Sequence, residues 1–285
     1  MIKFCKFQGF GNDYLVFEMD ELSHVQSLNK FARKVCDRHY GVGADGIATV
    51  KKLDGQTADF EVRIFNPDAS EAGFSGNGTR CAVAYLHYQK IWTDENVRLL
   101  TKSGVKNYRL TETVAEGKYW FEAEIGRPKL ASDEIPFISD ERLEIVREHP
   151  FVFDNQEFLI TAVNVGNPVC AIFVKDFESL DWRKIGQGIE KHSSFPERTN
   201  VVFIKEIDYK NIKVRIWERG AGETLASGTC TTAAAVASSL NGKTGRDVAV
   251  HAEGGTIEVN WRETDDVIVM KGRADFVFMG EFQTA

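Results

Sequence analysis

Two stretches of this chain follow one plan. Val62–Ala84, "VRIFNPDASEAGFSGNGTRCAVA", and Val214–Val236, "VRIWERGAGETLASGTCTTAAAV", lie 152 positions apart and align without a gap. Val62, Arg63, Ile64, Glu71, Ser75, Gly76, Thr79 and Ala82 recur as Val214, Arg215, Ile216, Glu223, Ser227, Gly228, Thr231 and Ala234, and Phe65 is answered by Trp217. Upstream, Gly11 and Asn12 in "GFGNDYLVF" are echoed by Gly166 and Asn167 in "NVGNPVCAIF", each pair preceding an apolar, strand-like run. A period of about 150 residues is too long for a solenoid unit and reads as a duplicated domain with approximate twofold symmetry. The length agrees, since 285 residues fit two ordinary domains better than one small core.

Inside each copy, short β-branched and aromatic segments ("DFEVRIF", "NIKVRIW", "TNVVFIK", "GTIEVNW", "DVIVMKG") alternate with turn residues and predict twisted, mainly antiparallel sheets. Thr79–Leu86 and Thr231–Leu240 are small and apolar nearly all round, as helices are when they are enclosed rather than laid on a surface. The expected class is therefore α/β, with two pseudo-symmetric lobes, each a curved sheet wrapped around a central helix. "GRPKL" at 126–130 marks the expected boundary, and "ERLEIVREH" at 141–149 has the spacing of an exposed amphipathic helix.

Bulk properties exclude several classes of function. No apolar stretch approaches the roughly 18 residues of a membrane span, and the lysine-bearing start lacks a leader's apolar core and cleavage site, so a cytoplasmic location is expected. The five cysteines (Cys5, Cys36, Cys81, Cys170, Cys230) are scattered and form no Cys-x-x-Cys pair, which argues for free thiols rather than disulfides or a metal site. A net charge of −7 with dispersed basic residues disfavours nucleic acid as a partner.

Ser75 and Ser227 each precede a helix, and an N-cap role alone would explain either. Paired by symmetry, they imply two helix N-termini with free amides and partial positive charge directed at one carboxylate-bearing ligand. Asn12, Asn66, Asn167, Asn200, Glu218 and Arg219 lie on strand ends and turns around them. Each is an ordinary turn or surface residue by itself; together they describe a site for a small zwitterion. Neither serine sits in a Gly-x-Ser-x-Gly elbow, so a serine hydrolase is not expected.

These residues resemble the cofactor-independent diaminopimelate epimerases. The resemblance covers essentially the whole chain and rests on "GFGNDYLVF", "CDRHYGVGADGI", "RIFNPDASEAGFSGNGTRC", "VNVGNPV", "RTNVVF", "RIWERGAGETLASGTC" and "GRADFVFMGEF", in family order. It implies two lobes, 1–127 plus a returning tail 272–285, and 128–271. It also implies inversion of one α-carbon of diaminopimelate, between LL and meso forms, by two opposed bases with no organic cofactor or metal, in lysine and peptidoglycan precursor synthesis. A homodimer is implied as well. The base positions map to Ser75 and Ser227, with Glu218 assisting. Asn12, Asn66, Asn167, Asn200, Glu218 and Arg219 map to substrate contacts, and Gly76, Asn77, Gly228 and Thr229 to donors for its carboxylates.

The chain departs from the family where chemistry is most exacting. The family's two bases are cysteines, whose pKa falls from about 8.5 to roughly 3.5–7.5 beside a helix N-terminus or cationic groups. Here both are hydroxyls, and the histidine expected after Gly-Asn-Pro is Val169. A serine needs a neighbour to take its proton. By the resemblance Glu218 serves near Ser75 while Ser227 has lost its imidazole, so residual base function is expected to favour Ser75. Three readings follow: an epimerase that uses hydroxyl relays on diaminopimelate or another amino acid, a binding protein that kept the pocket and lost the chemistry, and a thiol-replaced variant meant to trap a ligand. Val169 counts against the last. Cys230, in place of the family's final motif glycine, reads as a small buried core residue.

Overall fold

A computed structural model describes residues 1–283. Its first eight strands are β1 (Ile2–Gly9), β2 (Asn12–Glu18), β3 (Gly46–Lys52), β4 (Phe60–Phe65), β5 (Glu71–Ala72), β6 (Asn96–Thr101), β7 (Gly104–Ala115) and β8 (Lys118–Gly126), with helices α1 (Leu28–Cys36) and α2 (Gly76–Tyr88). Then come β9 (His149–Phe153), β10 (Gln156–Asn164), β11 (Pro168–Phe173), α3 (Trp182–Glu190), β12 (Asn200–Asp208), β13 (Asn211–Glu218), β14 (Gly222–Thr224), α4 (Gly228–Leu240), β15 (Asp247–Ala252), β16 (Gly255–Trp261) and β17 (Ile268–Phe282). Two compact units result, Met1–Ala123 with Lys271–Ala285, and Glu124–Met270.

The first unit is a sheet that closes on itself. β17 pairs with β1, β1 with β2 and β3 with β4 in antiparallel fashion, while β2–β3 and β4–β6 are parallel. β7 joins β6 and β8 antiparallel, and β8 returns to β17. Closure removes exposed edges and leaves an interior for one helix. α2 fills it, against β1, β2, β3 and β4. Every residue from Gly76 to Leu86 is buried, which the run of Gly, Ala, Thr, Cys and Val permits because small side chains let strands approach on all sides.

The second unit repeats the connectivity. β10–β11 is antiparallel, β11–β12 parallel, β12–β13 antiparallel, β13–β15 parallel and β15–β16 antiparallel, with β9 on β10 in the place of β17 on β1. α4 lies against β10 through β13, β15 and β16, buried from Gly228 to Ser238. The duplication inferred from sequence is thus a duplication of strand order, and the enclosed-helix α/β architecture is the observed one.

One local expectation fails. Residues 141–149 form no helix. Their backbone is already committed: Ser132 donates its amide to Leu143 O at 2.9 Å, Leu143 donates to Ser132 Oγ at 3.1 Å, and Val146 bonds both Leu130 O and the Ala162 amide. The spacing of Leu143 and Val146 does point both inward, into a core with Phe137, Phe151 and Ile160. Cross-linking of the strip won over helical bonding, and Pro150 directly after His149 disfavours helix at the end of the segment.

Candidate active site

Each serine is first a cap. Ser75 and Ser227 both have extended backbone angles (φ −135° and −142°) and accept from the amide three residues on, Gly78 N at 3.1 Å and Cys230 N at 3.4 Å. That leaves the amides of Gly76 and Asn77 in α2, and of Gly228 and Thr229 in α4, among the first-turn donors that a helix cannot satisfy internally. Such ends favour anions.

Around Ser75 the structure assembles a polar cluster within the first unit. The Tyr14 hydroxyl lies 2.9 Å from Ser75 Oγ, and either can donate. Tyr14 is held over the helix start by two glycines: a Cβ on Gly46 would come within 2.7 Å of its ring and one on Gly78 within 2.8 Å. Asn77 donates Nδ2 to Asn12 Oδ1 at 3.1 Å, and Asn12 donates Nδ2 to Asp45 Oδ2 at 2.8 Å. Arg80, 1% exposed, donates to Asn77 Oδ1 and, at 2.8 Å, to Arg273 O. Its guanidinium sits over the Phe10 ring with no carboxylate of the described residues paired to it, and burial lowers its pKa without removing its charge. Asn66 stands apart from this cluster, bonded to Ser70 Oγ in its own turn.

The second unit surrounds Ser227 differently. Ser227 donates to Glu218 Oε2 at 2.7 Å, and Thr224 donates to Glu218 Oε1 at 2.7 Å. Burial raises the Glu218 pKa, while those two bonds pull it the other way. The sequence reading attached Glu218 to Ser75; the serine its carboxylate holds is Ser227, because β14 folds back on β13 and brings residue 227 beside the strand's last carboxylate. Asn200 accepts from the Arg219 amide at 2.8 Å, and Asn167 from Arg219 Nη2 at 3.4 Å. Thr229 Oγ1 lies 3.4 Å from Ser227 Oγ. Val169 is fully buried on β11. Cys230 is also fully buried, and burial with the Glu218 charge pushes its thiol well above the usual range. That chemistry suits a core residue and not a relocated base.

Several structural supports escaped sequence reasoning. Glu190, 3% exposed in α3, accepts from Trp217 Nε1 at 2.8 Å and the Gly220 amide at 2.9 Å, and pairs with Arg198. It thereby braces the turn that carries Glu218 and Arg219. Burial raises its pKa, but these donors outweigh that and leave it lowered. Tyr14, Asp45, Arg80 and Thr224 were likewise unannounced; an arginine five residues past a cap inside an otherwise small, apolar helix was the one readable signal.

No helix among the described residues is long and apolar enough to cross a membrane. Comparison with known proteins supplies the family. The sequence profile described as "Diaminopimelate epimerase" matches residues 4–130 and 161–277. Curated relatives named diaminopimelate epimerase include those of Acetivibrio thermocellus (40% identical over 282 residues, 98% of each chain), Pelotomaculum thermopropionicum (41% over 281, 98% of each) and Methanococcus maripaludis (37% over 282, 98% of this chain and 99% of the relative). Among solved structures, a PhzF-family phenazine biosynthesis protein from Bacillus anthracis shares the fold at TM-score 0.69 and 15% identity, covering 99% of both chains. A hydroxyproline epimerase from Agrobacterium vitis does so at 0.65 and 12%, covering 98% of this chain and 90% of its own. With the profile spanning both halves of the duplication and relatives aligned end to end, this chain belongs to the diaminopimelate epimerase family.

Proposed function

We propose that this protein is a cofactor-independent amino-acid epimerase acting on diaminopimelate, in lysine and peptidoglycan precursor synthesis, with hydroxyl relays in place of thiols. The observation that carries this reading is the 2.7 Å bond from Ser227 Oγ to the desolvated Glu218 carboxylate. As Ser227 Oγ takes the substrate's α-proton, its own proton passes to Glu218, so the serine never has to exist as a free alkoxide. In the two-base reaction that the family resemblance implies, Ser75 supplies the second proton, giving its hydroxyl proton to the α-carbon and being recharged by Tyr14, whose phenol is then reprotonated by water. Base function thus belongs with Ser227 in this direction, and the reverse direction uses the same groups with roles exchanged. The amides of Gly76, Asn77, Gly228 and Thr229 hold carboxylates, and Asn12, Asn66, Asn167, Asn200, Glu218 and Arg219 bind the remainder of the ligand.

Support for the substrate comes from the relatives' names and from retention of the polar set. The acidic, dispersed charge of the chain favours a small-molecule ligand in the cytoplasm over nucleic acid, and the family resemblance favours a homodimer. The test is exchange of the substrate α-proton in deuterated water with LL- and meso-diaminopimelate, run beside calorimetry. Exchange with interconversion is the expected result. Binding without exchange selects the second reading, a protein that kept the pocket and lost turnover. That reading draws on one observation, that Ser75 is partnered by a phenol and not by a basic group.

A further inference from the structure

Two side-chain amides in the first unit are strung between a group that can only donate and a group that can only accept. Arg80 has no acceptor, so the atom that Asn77 turns toward it must be Oδ1. That places Asn77 Nδ2 on Asn12 Oδ1 at 3.1 Å. Asn12 then has only Nδ2 to offer Asp45, whose carboxylate accepts at 2.8 Å and is itself held by Arg38 at 2.7 Å. Read from either end the chain has one consistent polarity. It uses one hydrogen of Asn12 Nδ2 and leaves the second. Asn77 is 3% exposed and Arg80 1%, so water does not compete for these bonds, whereas Asn12 is only partly buried, with one N–H not used by the amide chain.

We propose that Arg80 and Asp45 are positioning residues that lock the Asn77–Asn12 amide pair so that Asn12 presents an N–H donor, and never its carbonyl, to a carboxylate ligand. The inference rests on the proposed function for the identity of that ligand. Arg80 contributes through polarity: with the guanidinium gone, Asn77 is free to reverse and Asn12 is held from one end only. Asn77→Asp goes further. It sets acceptor-only groups on both sides of Asn12, draws both of its N–H groups inward, and turns the carbonyl out against the ligand.

The experiment has two arms. In ligand-free protein the side-chain amide resonances of Asn12 and Asn77 are followed by 1H–15N correlation spectra; Arg80→Met and Asn77→Asp are both expected to shift the Asn12 pair and speed its hydrogen exchange. By calorimetry, Arg80→Met is expected to weaken LL-diaminopimelate roughly tenfold, the size of a lost bond to a charged group, and Asn77→Asp to weaken it more. In an Asn12→Ala background the Arg80→Met effect is expected to vanish, as coupling through Asn12 requires. Asn12 signals unchanged in both variants overturn the inference, as does an Arg80→Met loss that persists in full without Asn12. If Arg80→Met does not fold, Asn77→Asp and Asp45→Asn decide it. A wild type that gives no binding heat overturns the proposed function alone, because the amide spectra still report whether Arg80 and Asp45 orient Asn12.

Discussion

Ser75 and Ser227 have the same backbone and opposite surroundings. Both cap 13-residue buried helices, with the same short strand doubling back before them. Yet the first serine touches a phenol and has a buried arginine five residues on, while the second donates to a carboxylate and has Thr232 at the arginine's place. Two further positions differ together. Repeat register sets Val169 opposite Tyr14 and Cys230 opposite Gly78, so that where one unit has a large ring over a glycine, the other has a small branched chain and a thiol. Duplication preserved what the backbone needs, namely the cap, the glycine after it and the parallel strand pair. It did not preserve charge, and the proposed mechanism assigns base and acid roles to the two halves on that difference.

The largest effect should come from restoring thiols. Ser75→Cys with Ser227→Cys together should raise α-proton exchange by about 10²–10⁴-fold, the range that a well-matched acid–base group contributes. The single variants sharpen the contrast. A thiol at 75 faces the Tyr14 phenol and should titrate lower than one at 227, which faces the Glu218 carboxylate. Alkylation rate against pH reads this directly, and equal thiol acidities would erase the proposed electrostatic difference.

Glu218→Gln comes next. It should lower exchange about 100-fold or more while stabilising the fold at neutral pH. The sign follows from the raised pKa: native protein binds this proton more tightly than unfolded chain does, so stability falls as pH rises above the unfolded value of about 4.3. Gln removes that loss. Glu190 behaves oppositely, since its lowered pKa means its contribution is present above about 4.3 and fades as pH falls through its folded value. Melting curves from pH 4 to 8 should therefore show Glu218→Gln gaining and Glu190→Gln losing at the alkaline end.

Coupling between positions 169 and 230 is a third test. Val169→His alone should overpack a fully buried strand site, and Cys230→Gly alone should open space and loosen the first turn of α4. If the two compensate as Tyr14 and Gly78 do, the double variant should be about 1–2 kcal/mol better than the sum of the singles in denaturant melts. Additivity would mean that Cys230 does not fill the room a ring would need.

How much of this was legible follows the same division. Repeat register and apolar periodicity carry the backbone: the duplication, the enclosed helices and both caps are legible in the sequence, whereas the strand order is not. Partnerships across tens of residues were not legible. Tyr14 reads as one more strand aromatic, and nothing local announces that its hydroxyl ends on a serine 61 positions away. Arg80 stands out as a charge inside a helix expected to be enclosed, but nothing local announces that it donates to Asn77 and to Arg273 O. Glu218 is legible as a candidate acceptor, but the serine that donates to it is not, because the return of β14 onto β13 is a pairing and not a composition. The strip 141–149 failed for the complementary reason, as its periodicity was real and its backbone bonds were already used elsewhere.

The smallest effects isolate capping from charge. Asn and Asp are both good N-caps, and replacing a serine cap by alanine costs about 1 kcal/mol. Ser75→Ala should show that cost, while Ser75→Asn should stay within a few tenths of wild type. Aspartate separates the two halves. At 75 it would complement the helix end, and should be neutral or stabilising by about 0.5 kcal/mol. At 227 it would set a second carboxylate against Glu218, already desolvated, so one of the pair must take up a proton. Ser227→Asp should therefore melt lower than Ser75→Asp at pH 7, with the gap closing as pH falls toward 4. A gap that did not change with pH would assign the difference to packing and not to the Glu218 charge beside residue 227.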